Sequence, residues 1–137
     1  YFNIAKFKKA VAKSVPVSIE KTIGENVFKT SVDQTKIIEV PEKPTLSDGT
    51  AGGLEPGSIT FEICQRHVDS YIMVSEEEIK AAMKLVIKHH HLIIEGSAGV
   101  AVAALIKEKD RFMGKKVAII ICGSNVSEAV LKSLICT

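Results

Sequence analysis

The chain has 137 residues, of which 46% are hydrophobic and 25% charged, so it is long enough for one globular domain and too apolar to be disordered. Its net charge of +2 is too small an excess for a nucleic-acid-binding surface. No apolar run reaches the roughly 18 residues of a membrane span, so we expect a soluble, cytoplasmic protein that binds neither membranes nor nucleic acids. The three cysteines, Cys64, Cys122 and Cys136, form no CxxC pattern and indicate neither a disulfide framework nor a zinc site.

The first part of the chain gives few structural signals. The spacing of its apolar residues predicts a short amphipathic helix over 4–14, which Pro16 ends. Residues 36–40 predict a brief strand, and a loop rich in glycine and proline follows over 41–57. Glycines at that density indicate a shaped loop whose backbone approaches something closely. We therefore divide the chain into a poorly assigned lead-in, residues 1–35, and an α/β part, residues 36–137.

From residue 58 onward, predicted helices and strands alternate. The helices cover 59–67, 76–89 and 98–106, and a last one, capped by Ser127 or Asn125, ends at Leu134; the strands cover 71–74, 92–94 and 116–122. Ser75 and Glu78 match a capping box at the start of the second helix. The run 116–122 is continuously apolar, as expected of a strand covered on both faces. The alternation predicts an α/β fold, an open and mostly parallel sheet with flanking helices.

Three places could carry chemistry. Cys122 and Gly123 stand where a predicted strand ends, and open parallel sheets bind ligands beyond such ends; the commoner alternative is a cysteine that only packs. Glu95 also follows a predicted strand, and it either faces the interior end of the sheet or merely favours the dipole of the next helix. Asp48 and Gly49, taken alone, indicate only a turn.

Several site classes lack support. Successive helical residues point about 100° apart, so His89, His90 and His91 cannot converge on one metal ion; imidazolium groups there favour the dipole at a helix end. His67 is isolated, which favours a surface or structural role. The sequence contains no GxxxxGK[ST], GxGxxG or GxSxG, so P-loop, Rossmann and hydrolase functions are not indicated.

Taken in order, five segments of the chain resemble the carboxy-terminal part of the serine/threonine dehydratases, which are pyridoxal-phosphate lyases of fold type II. The segments are PEKPTLSDGTAGG at 41–53, PGSITFE at 56–62, VDSYIMVSEEEI at 68–79, LIIEGSAGVAVAAL at 92–105 and GKKVAIIICGSN at 114–125. The resemblance covers roughly two-thirds of the chain, and several motifs in the right order make it specific.

The resemblance implies roles for four residues around pyridoxal 5'-phosphate. Cys122 stands where the family has a Ser or Cys that hydrogen-bonds the pyridine nitrogen, and Glu95 matches a Glu near the ring. Gly57 matches a backbone position beside the cofactor, and Gly123 lets the chain pass close to it. A neutral partner leaves the pyridine nitrogen largely unprotonated, which suits β-elimination of water from serine or threonine to give a 2-oxo acid and ammonia.

Two motifs of the family do not occur in this sequence. The family places its Schiff-base lysine in a Ser-Phe-Lys-type loop and binds the phosphate with a tetraglycine-like loop. Because neither pattern is present, we assign the Schiff-base role to no lysine. Residues 7–29 resemble the family's lead-in, which predicts an incomplete fold-type-II architecture, lacking its middle and joined near 30–34.

The leading interpretation is part of a dehydratase for L-threonine or L-serine that forms one wall of the cofactor site. We expect it to form a homo-oligomer or to associate with the rest of the enzyme. Within the family, a serine racemase or a dehydratase for another β-hydroxy amino acid or amine is the alternative. A non-catalytic α/β module that binds a ligand or a partner chain is an alternative of another class, since covalent pyridoxal-phosphate catalysis needs a lysine.

Overall fold

A computed structural model describes residues 44–50 and 55–136 of the chain. Its α-helices are α1 (Ile59–His67), α2 (Glu76–His90), α3 (Gly96–Lys107) and α4 (Glu128–Ile135), with short 3-10 helices at Asp48–Thr50 and Lys109–Phe112. The predicted helix over 4–14, the predicted strand over 36–40 and the division of the chain at residue 35 lie outside the described residues. None of the described helices has the length and hydropathy that crossing a bilayer requires.

The core of the described part lies between α2 and α3, which face each other with small and apolar side chains. Met83 is 1% exposed, and Ala82 and Ala98 are fully buried. Val100 of α3 and Leu134 of α4 belong to the same buried cluster. Burying a methionine side chain stabilises a fold by roughly 1.5–3 kcal/mol, so Met83 contributes to holding α2 and α3 together.

The predicted capping box begins α2. The Ser75 hydroxyl accepts a hydrogen bond from the Glu78 N–H at 3.2 Å, and the Glu78 carboxylate accepts one from the Ser75 N–H at 2.7 Å. The bond from the Ser75 backbone is the main reason why the pKa of Glu78 is lowered. At α4, the Ser127 hydroxyl accepts from the Val130 N–H at 3.3 Å, so Ser127 rather than Asn125 caps that helix.

The histidine run lies at the end of α2, as predicted. His89 and His90 occupy the last turn, and His91 ends the helix in a left-handed conformation with φ of 55°. Its N–H donates to the Ile87 carbonyl oxygen at 3.1 Å. Within 44–50 and 55–136, no three His, Cys, Asp or Glu side chains are grouped so that they could hold a metal ion.

The segments predicted as strands carry no regular secondary structure in the described part of the chain, so the predicted sheet stays a prediction. Residues 71–74, 92–94 and 116–122 all lack strand pairing in the described part of the chain. One backbone hydrogen bond joins the ends of the last two segments, from the Glu95 N–H to the Gly123 carbonyl oxygen at 3.0 Å. A strand exists only where a second chain segment pairs with it, and an apolar run by itself does not supply that partner.

The described residues do not cover the segment 116–122 on both faces. Val117 is 45% exposed, Ile120 is 55% exposed and Ile121 is 49% exposed. Leu92 and Ile93, in the other extended segment, are 57% and 46% exposed. The apolar composition of a segment shows that its side chains favour burial. Burial also needs other residues packed over these side chains, and the composition does not say which residues those are.

Candidate functional site

Polar groups from two chain segments meet at the first turn of α3. We call Glu95, Cys122, Gly123 and Asn125 the Glu95 cluster. The Cys122 thiol donates to Glu95 Oε1 at 3.7 Å, and the Asn125 N–H donates to Glu95 Oε2 at 3.4 Å. The Glu95 N–H in turn donates to the Gly123 carbonyl oxygen at 3.0 Å. One carboxylate oxygen therefore accepts from Cys122, the last residue of the segment 116–122, and the other accepts from Asn125 in the turn that follows.

Glu95 is positioned by the residues on either side of it. Ile94 is 2% exposed and belongs to the buried cluster between the helices, which fixes the chain just before the carboxylate. Glu95 is the N-cap residue of α3, but its side chain makes no capping hydrogen bond to that helix. The carboxylate is turned to Cys122 and Asn125 instead. Whether Glu95 faces the interior end of a sheet or favours the helix dipole stays a prediction, and in the described structure its carboxylate contacts the residues at the end of 116–122 and just after it.

Gly123 leaves the room that the carboxylate occupies. A Cβ added at this residue would collide with the Oε2 and Cδ atoms of Glu95. Any other residue would therefore make the Glu95 side chain move from its present position, which would change its bonds to Cys122 and Asn125. In the described structure Gly123 lies against Glu95, and its close approach to the cofactor stays a prediction.

The Cys122 thiol is held in its neutral form. Partial burial of the sulfur is the largest cause that raises the pKa of Cys122, and the negative charge of Glu95 raises it further. The residue as a whole remains exposed, so a ligand can reach it. A neutral thiol can donate its hydrogen to an acceptor, and it is a poor nucleophile because the thiolate is the reactive form.

A loop from the other side completes the surroundings of Glu95. A Cβ on Gly49 would lie 2.7 Å from the Ser97 hydroxyl oxygen and 3.8 Å from Glu95 Oε1. The Ser97 hydroxyl, in the first turn of α3, is buried and has no hydrogen-bond partner among residues 44–50 and 55–136. Ser97 gave no signal of a site in the sequence, and Gly49 indicated only a turn. The contact joins Gly49, in the segment 47–49, to Ser97, in the segment 95–97. No local pattern connects two segments that are so far apart in sequence.

Three of the four predicted site residues come together, namely Glu95, Cys122 and Gly123. Gly57 stands apart from the described contacts of the Glu95 cluster. It lies in an exposed turn before α1 with φ of 80°, and none of the described residues comes within 4 Å of a Cβ added there. Its positive φ explains a glycine at this turn without a ligand.

The family model of pyridoxal-phosphate dependent enzymes matches residues 4–123 of the chain. The chain belongs to this family. The recognition made from the motif order is thereby confirmed, and the fold belongs to the α/β class of the fold-type-II enzymes. The sheet itself stays a prediction.

The chain is also similar in sequence to individual proteins with known names. An L-threonine ammonia-lyase of Thermotoga maritima is 40% identical over 96 residues, which are 70% of this chain and 23% of that protein. A serine racemase of Dictyostelium discoideum is 42% identical over 98 residues, 69% of this chain and 30% of that protein. The chain thus spans about a quarter to a third of the length of these curated relatives.

Solved structures give the same result. The serine racemase structure from Dictyostelium discoideum matches with a TM-score of 0.73 and 33% identity, over 90% of this chain and 40% of that one. The processed form of threonine deaminase isoform 2 from Solanum lycopersicum matches with a TM-score of 0.78 and 27% identity, over 96% of this chain and 38% of that one. These matches extend over most of this chain and under half of each solved one.

The Glu95 cluster fits one side of the pyridoxal-phosphate ring in its hydrogen-bonding chemistry. The neutral Cys122 thiol offers a donor to an acceptor such as a pyridine nitrogen, and the Ser97 hydroxyl is a buried donor that lacks a partner in the described part. The cluster contains no lysine and no glycine-rich loop that would hold a phosphate. These residues therefore fit the ring side of the cofactor, and the cluster offers nothing to its phosphate.

Proposed function

We propose that this chain forms one wall of the cofactor site of a pyridoxal-phosphate dependent lyase, which converts L-threonine or L-serine to a 2-oxo acid and ammonia. The observation that carries the proposal is the neutral Cys122 thiol held against Glu95 at the first turn of α3. The substrate class is supported by the L-threonine ammonia-lyase of Thermotoga maritima, at 40% identity. The whole reaction needs a lysine that we assign to no residue of this chain.

The proposed roles follow from the geometry of the cluster. When bound, pyridoxal phosphate supplies the electron-withdrawing ring that makes a hydrogen on the substrate's α-carbon acidic. Cys122 would bind the pyridine nitrogen by donating its thiol hydrogen, and its raised pKa keeps that hydrogen on sulfur at neutral pH. Because the thiol has one hydrogen, binding the nitrogen would replace its hydrogen bond to Glu95 Oε1. Glu95 would then hold the turn through the Asn125 N–H, and Gly123 would leave room for the carboxylate. Gly57 keeps its proposed place beside the cofactor on the family resemblance alone.

The proposal includes the finer architecture predicted from sequence. We propose that 92–94 and 116–122 become strands of an open, mostly parallel sheet, with 1–35 as a lead-in and 36–137 as the α/β part. The hydrogen bond from Glu95 to Gly123 supports the adjacency of the two segments. We propose association with the rest of the enzyme or with another copy, a cytoplasmic location, and no binding of nucleic acids or membranes. The exposed Ile120 and Ile121 support association, since exposed apolar surface favours contact.

A racemase is the second candidate function. The serine racemase of Dictyostelium discoideum is 42% identical to the chain, and its structure matches 90% of it. A lyase releases ammonia and a 2-oxo acid from its substrate, whereas a racemase returns the amino acid with inverted configuration. Assaying both products from L-serine on the protein with its partners distinguishes these functions.

Titration of the chain with pyridoxal phosphate, followed by absorbance, tests the cofactor site. Loss of one hydrogen bond costs on the order of 1 kcal/mol, so Cys122→Ala should weaken binding about fivefold to tenfold. Cys122→Ser keeps a donor and should bind nearly as the wild type does. Cys136→Ala, at the exposed end of α4, is the matched control and should change nothing. Equal affinity of Cys122→Ala and wild type would remove Cys122 from the site.

Reduction with borohydride tests whether the chain alone is catalytic. Since no lysine stands in the family's Schiff-base context, we expect no single lysine to be labelled when pyridoxal phosphate and borohydride are added. Peptide mass spectrometry measures the result. One specifically labelled lysine together with release of ammonia from L-threonine would show a self-sufficient enzyme. Failure of the chain to bind pyridoxal phosphate at all would favour the non-catalytic module.

A further inference from the structure

Glu76 uses both oxygens of its carboxylate to bind the loop that faces the Glu95 cluster. The Thr45 hydroxyl donates to Glu76 Oε1 at 2.5 Å, and the Leu46 N–H donates to Glu76 Oε2 at 2.7 Å. Both bonds are partly buried and join residues about 30 positions apart in sequence. Hydrogen bonds to a charged acceptor are roughly twice as strong as neutral ones, so this contact is a strong anchor for the loop.

The residues after Thr45 form a rigid turn. The Thr45 hydroxyl accepts from the Ser47 N–H at 3.0 Å while it donates to Glu76, so one hydroxyl connects the anchor to the turn. The Ser47 and Thr50 hydroxyls lie 2.5 Å apart, and the Thr50 N–H donates to the Ser47 carbonyl oxygen at 2.9 Å. Ser47 is 1% exposed. The loop is therefore ordered by its own bonds once its start is anchored.

This turn rests directly on the first turn of α3. A Cβ added at Gly96 would collide with the carbonyl group of Leu46, so the two backbones are in contact. Gly49 lies over the Ser97 hydroxyl and within reach of Glu95. The position of the loop on α3 depends on where its first residues are held, and Glu76 binds those residues, Thr45 and Leu46.

The position of Glu76 alone does not explain these bonds. An acidic residue in the first turn of a helix is favoured by the helix dipole wherever its side chain points. The capping box of α2 is made by Ser75 and Glu78 and does not use Glu76. Glu77, the residue after Glu76, has the same charge and is exposed. Of the three glutamates, Glu76 alone is turned to the Thr45–Leu46 backbone in the described structure.

We propose that Glu76 is a positioning residue that holds the loop 45–50 on the first turn of α3, so that Gly49 lies beside Ser97 and Glu95. The part of this inference that concerns the cofactor rests on the proposed function above. Glu76 itself touches neither Cys122 nor Glu95 in the described contacts and acts through the loop. Its removal should therefore loosen the loop first and weaken ligand binding as a consequence.

Hydrogen exchange measured on the full chain tests the anchor. In Glu76→Gln, one oxygen is replaced by an NH2 group that cannot accept, and charge assistance is lost. The Leu46 and Ser47 amides should exchange about tenfold to a hundredfold faster, since hydrogen bonds to charged groups contribute on the order of 1.5–3 kcal/mol. Glu77→Gln removes the same charge from the next residue and should leave these amides unchanged. Unchanged exchange in Glu76→Gln would overturn the anchor.

A second variant tests the same hydrogen bond from the side of the loop, in case Glu76→Gln does not fold. Thr45→Val removes the donor hydroxyl without touching α2, and should accelerate exchange in the same loop. The double variant with Glu76→Gln should lose less than the sum of the single variants, because both remove the same interaction. Strict additivity would contradict a direct coupling between Thr45 and Glu76.

Titration with pyridoxal phosphate separates positioning of the pocket from a purely structural role. If the wild-type chain binds the cofactor, Glu76→Gln should weaken binding severalfold while Glu77→Gln does not. A loosened loop with unchanged affinity would overturn the role in the pocket. If the wild-type chain does not bind pyridoxal phosphate, the proposed function fails, and hydrogen exchange alone then decides whether Glu76 positions the loop.

Discussion

The α2–α3 pair and the two extended segments beside it are all rich in apolar residues, but they differ sharply in burial. Met83 of α2 and Ala98 of α3 are almost completely buried, whereas Ile120 and Ile121 are about half exposed. A helix satisfies its own backbone hydrogen bonds and can bury a stripe against one neighbour. An extended segment needs partners for both its backbone and its two faces. The comparison shows that burial depends on what lies opposite a segment more than on its composition.

The two regions also differ in what they contribute to the site. The helix pair provides a fixed surface, because Ile94 is buried in its core immediately before Glu95. The extended segment 116–122 provides the thiol and the turn that meet the carboxylate. The buried helix pair fixes Glu95, and the exposed segment 116–122 leaves the Cys122 thiol accessible to a ligand.

The largest effect is expected from breaking the helix pair. Met83→Ala should lower the free energy of unfolding by about 2–5 kcal/mol, because it leaves a cavity between α2 and α3. Urea denaturation followed by circular dichroism measures this loss. Leu85→Ala, on the same helix at a side chain that is 41% exposed, is the control and should cost less than about 1 kcal/mol. Equal losses would mean that the two faces of α2 are equally packed.

A smaller effect is expected from Gly96→Ala, which tests the contact between helix and loop. The new methyl group would collide with the Leu46 carbonyl group and should cost about 1–3 kcal/mol. Gly99→Ala, three residues along α3, probes the opposite contact of this helix: its methyl would lie 2.7 Å from Cγ of the buried Met83 and 3.3 Å from Ile79, so it should also lower the unfolding midpoint. Thermal denaturation measures both changes, and an unchanged midpoint for Gly96→Ala would contradict the contact between helix and loop.

The start of α2 should matter less than its core. Ser75→Ala removes the hydroxyl that accepts from the Glu78 N–H and should destabilise the chain by about 0.5–2 kcal/mol. Thermal denaturation measures the change. Ser58 precedes α1 without a side-chain capping bond, so Ser58→Ala should lose less than about 0.5 kcal/mol. If both variants lose the same stability, the capping box contributes nothing.

The smallest expected effect concerns the exposed thiol. Because burial and the Glu95 charge raise the pKa of Cys122, its alkylation rate should rise at a higher pH than that of an ordinary thiol. Glu95→Gln should move that rise to lower pH, although burial, the larger cause, keeps the pKa raised. Peptide mass spectrometry follows alkylation of this residue. Glu128→Gln, an exposed carboxylate on α4, is the control and should leave the profile unchanged. If Glu95→Gln leaves the pH dependence of Cys122 alkylation unchanged, the proposed interaction between Glu95 and the thiol is wrong.

The helices could be predicted because their signals are local. The predicted bounds of α1 agree with the structure, and α2 ends at His90, one residue past the predicted end. The capping box was visible because Ser75 and Glu78 are three residues apart. The start of α3 was placed two residues late, at 98, because Gly96 and Ser97 are weak helix formers. Each of these results depends on residues within one or two turns.

The site could be predicted only in part because its contacts are long-range. Glu95 and Cys122 are 27 residues apart, and no periodicity connects them. Each was singled out by its place after an apolar run, and the resemblance to the family supplied the roles. The anchor between Glu76 and Thr45 gave no signal, since Glu76 looked like one of three equivalent acidic residues in a solvated first turn. Only the fold distinguishes it from Glu77.

The sequence by itself determined the family of this protein, the positions of its helices and three residues of the Glu95 cluster. These properties are carried by motif order and by interactions between neighbours along the chain. The tertiary structure alone decided that Glu95 turns away from its own helix, that Gly123 makes room for the carboxylate and that Glu76 holds a distant loop. The physical reason is that side-chain orientation and close approach depend on the neighbours in space, and those neighbours come from other parts of the chain.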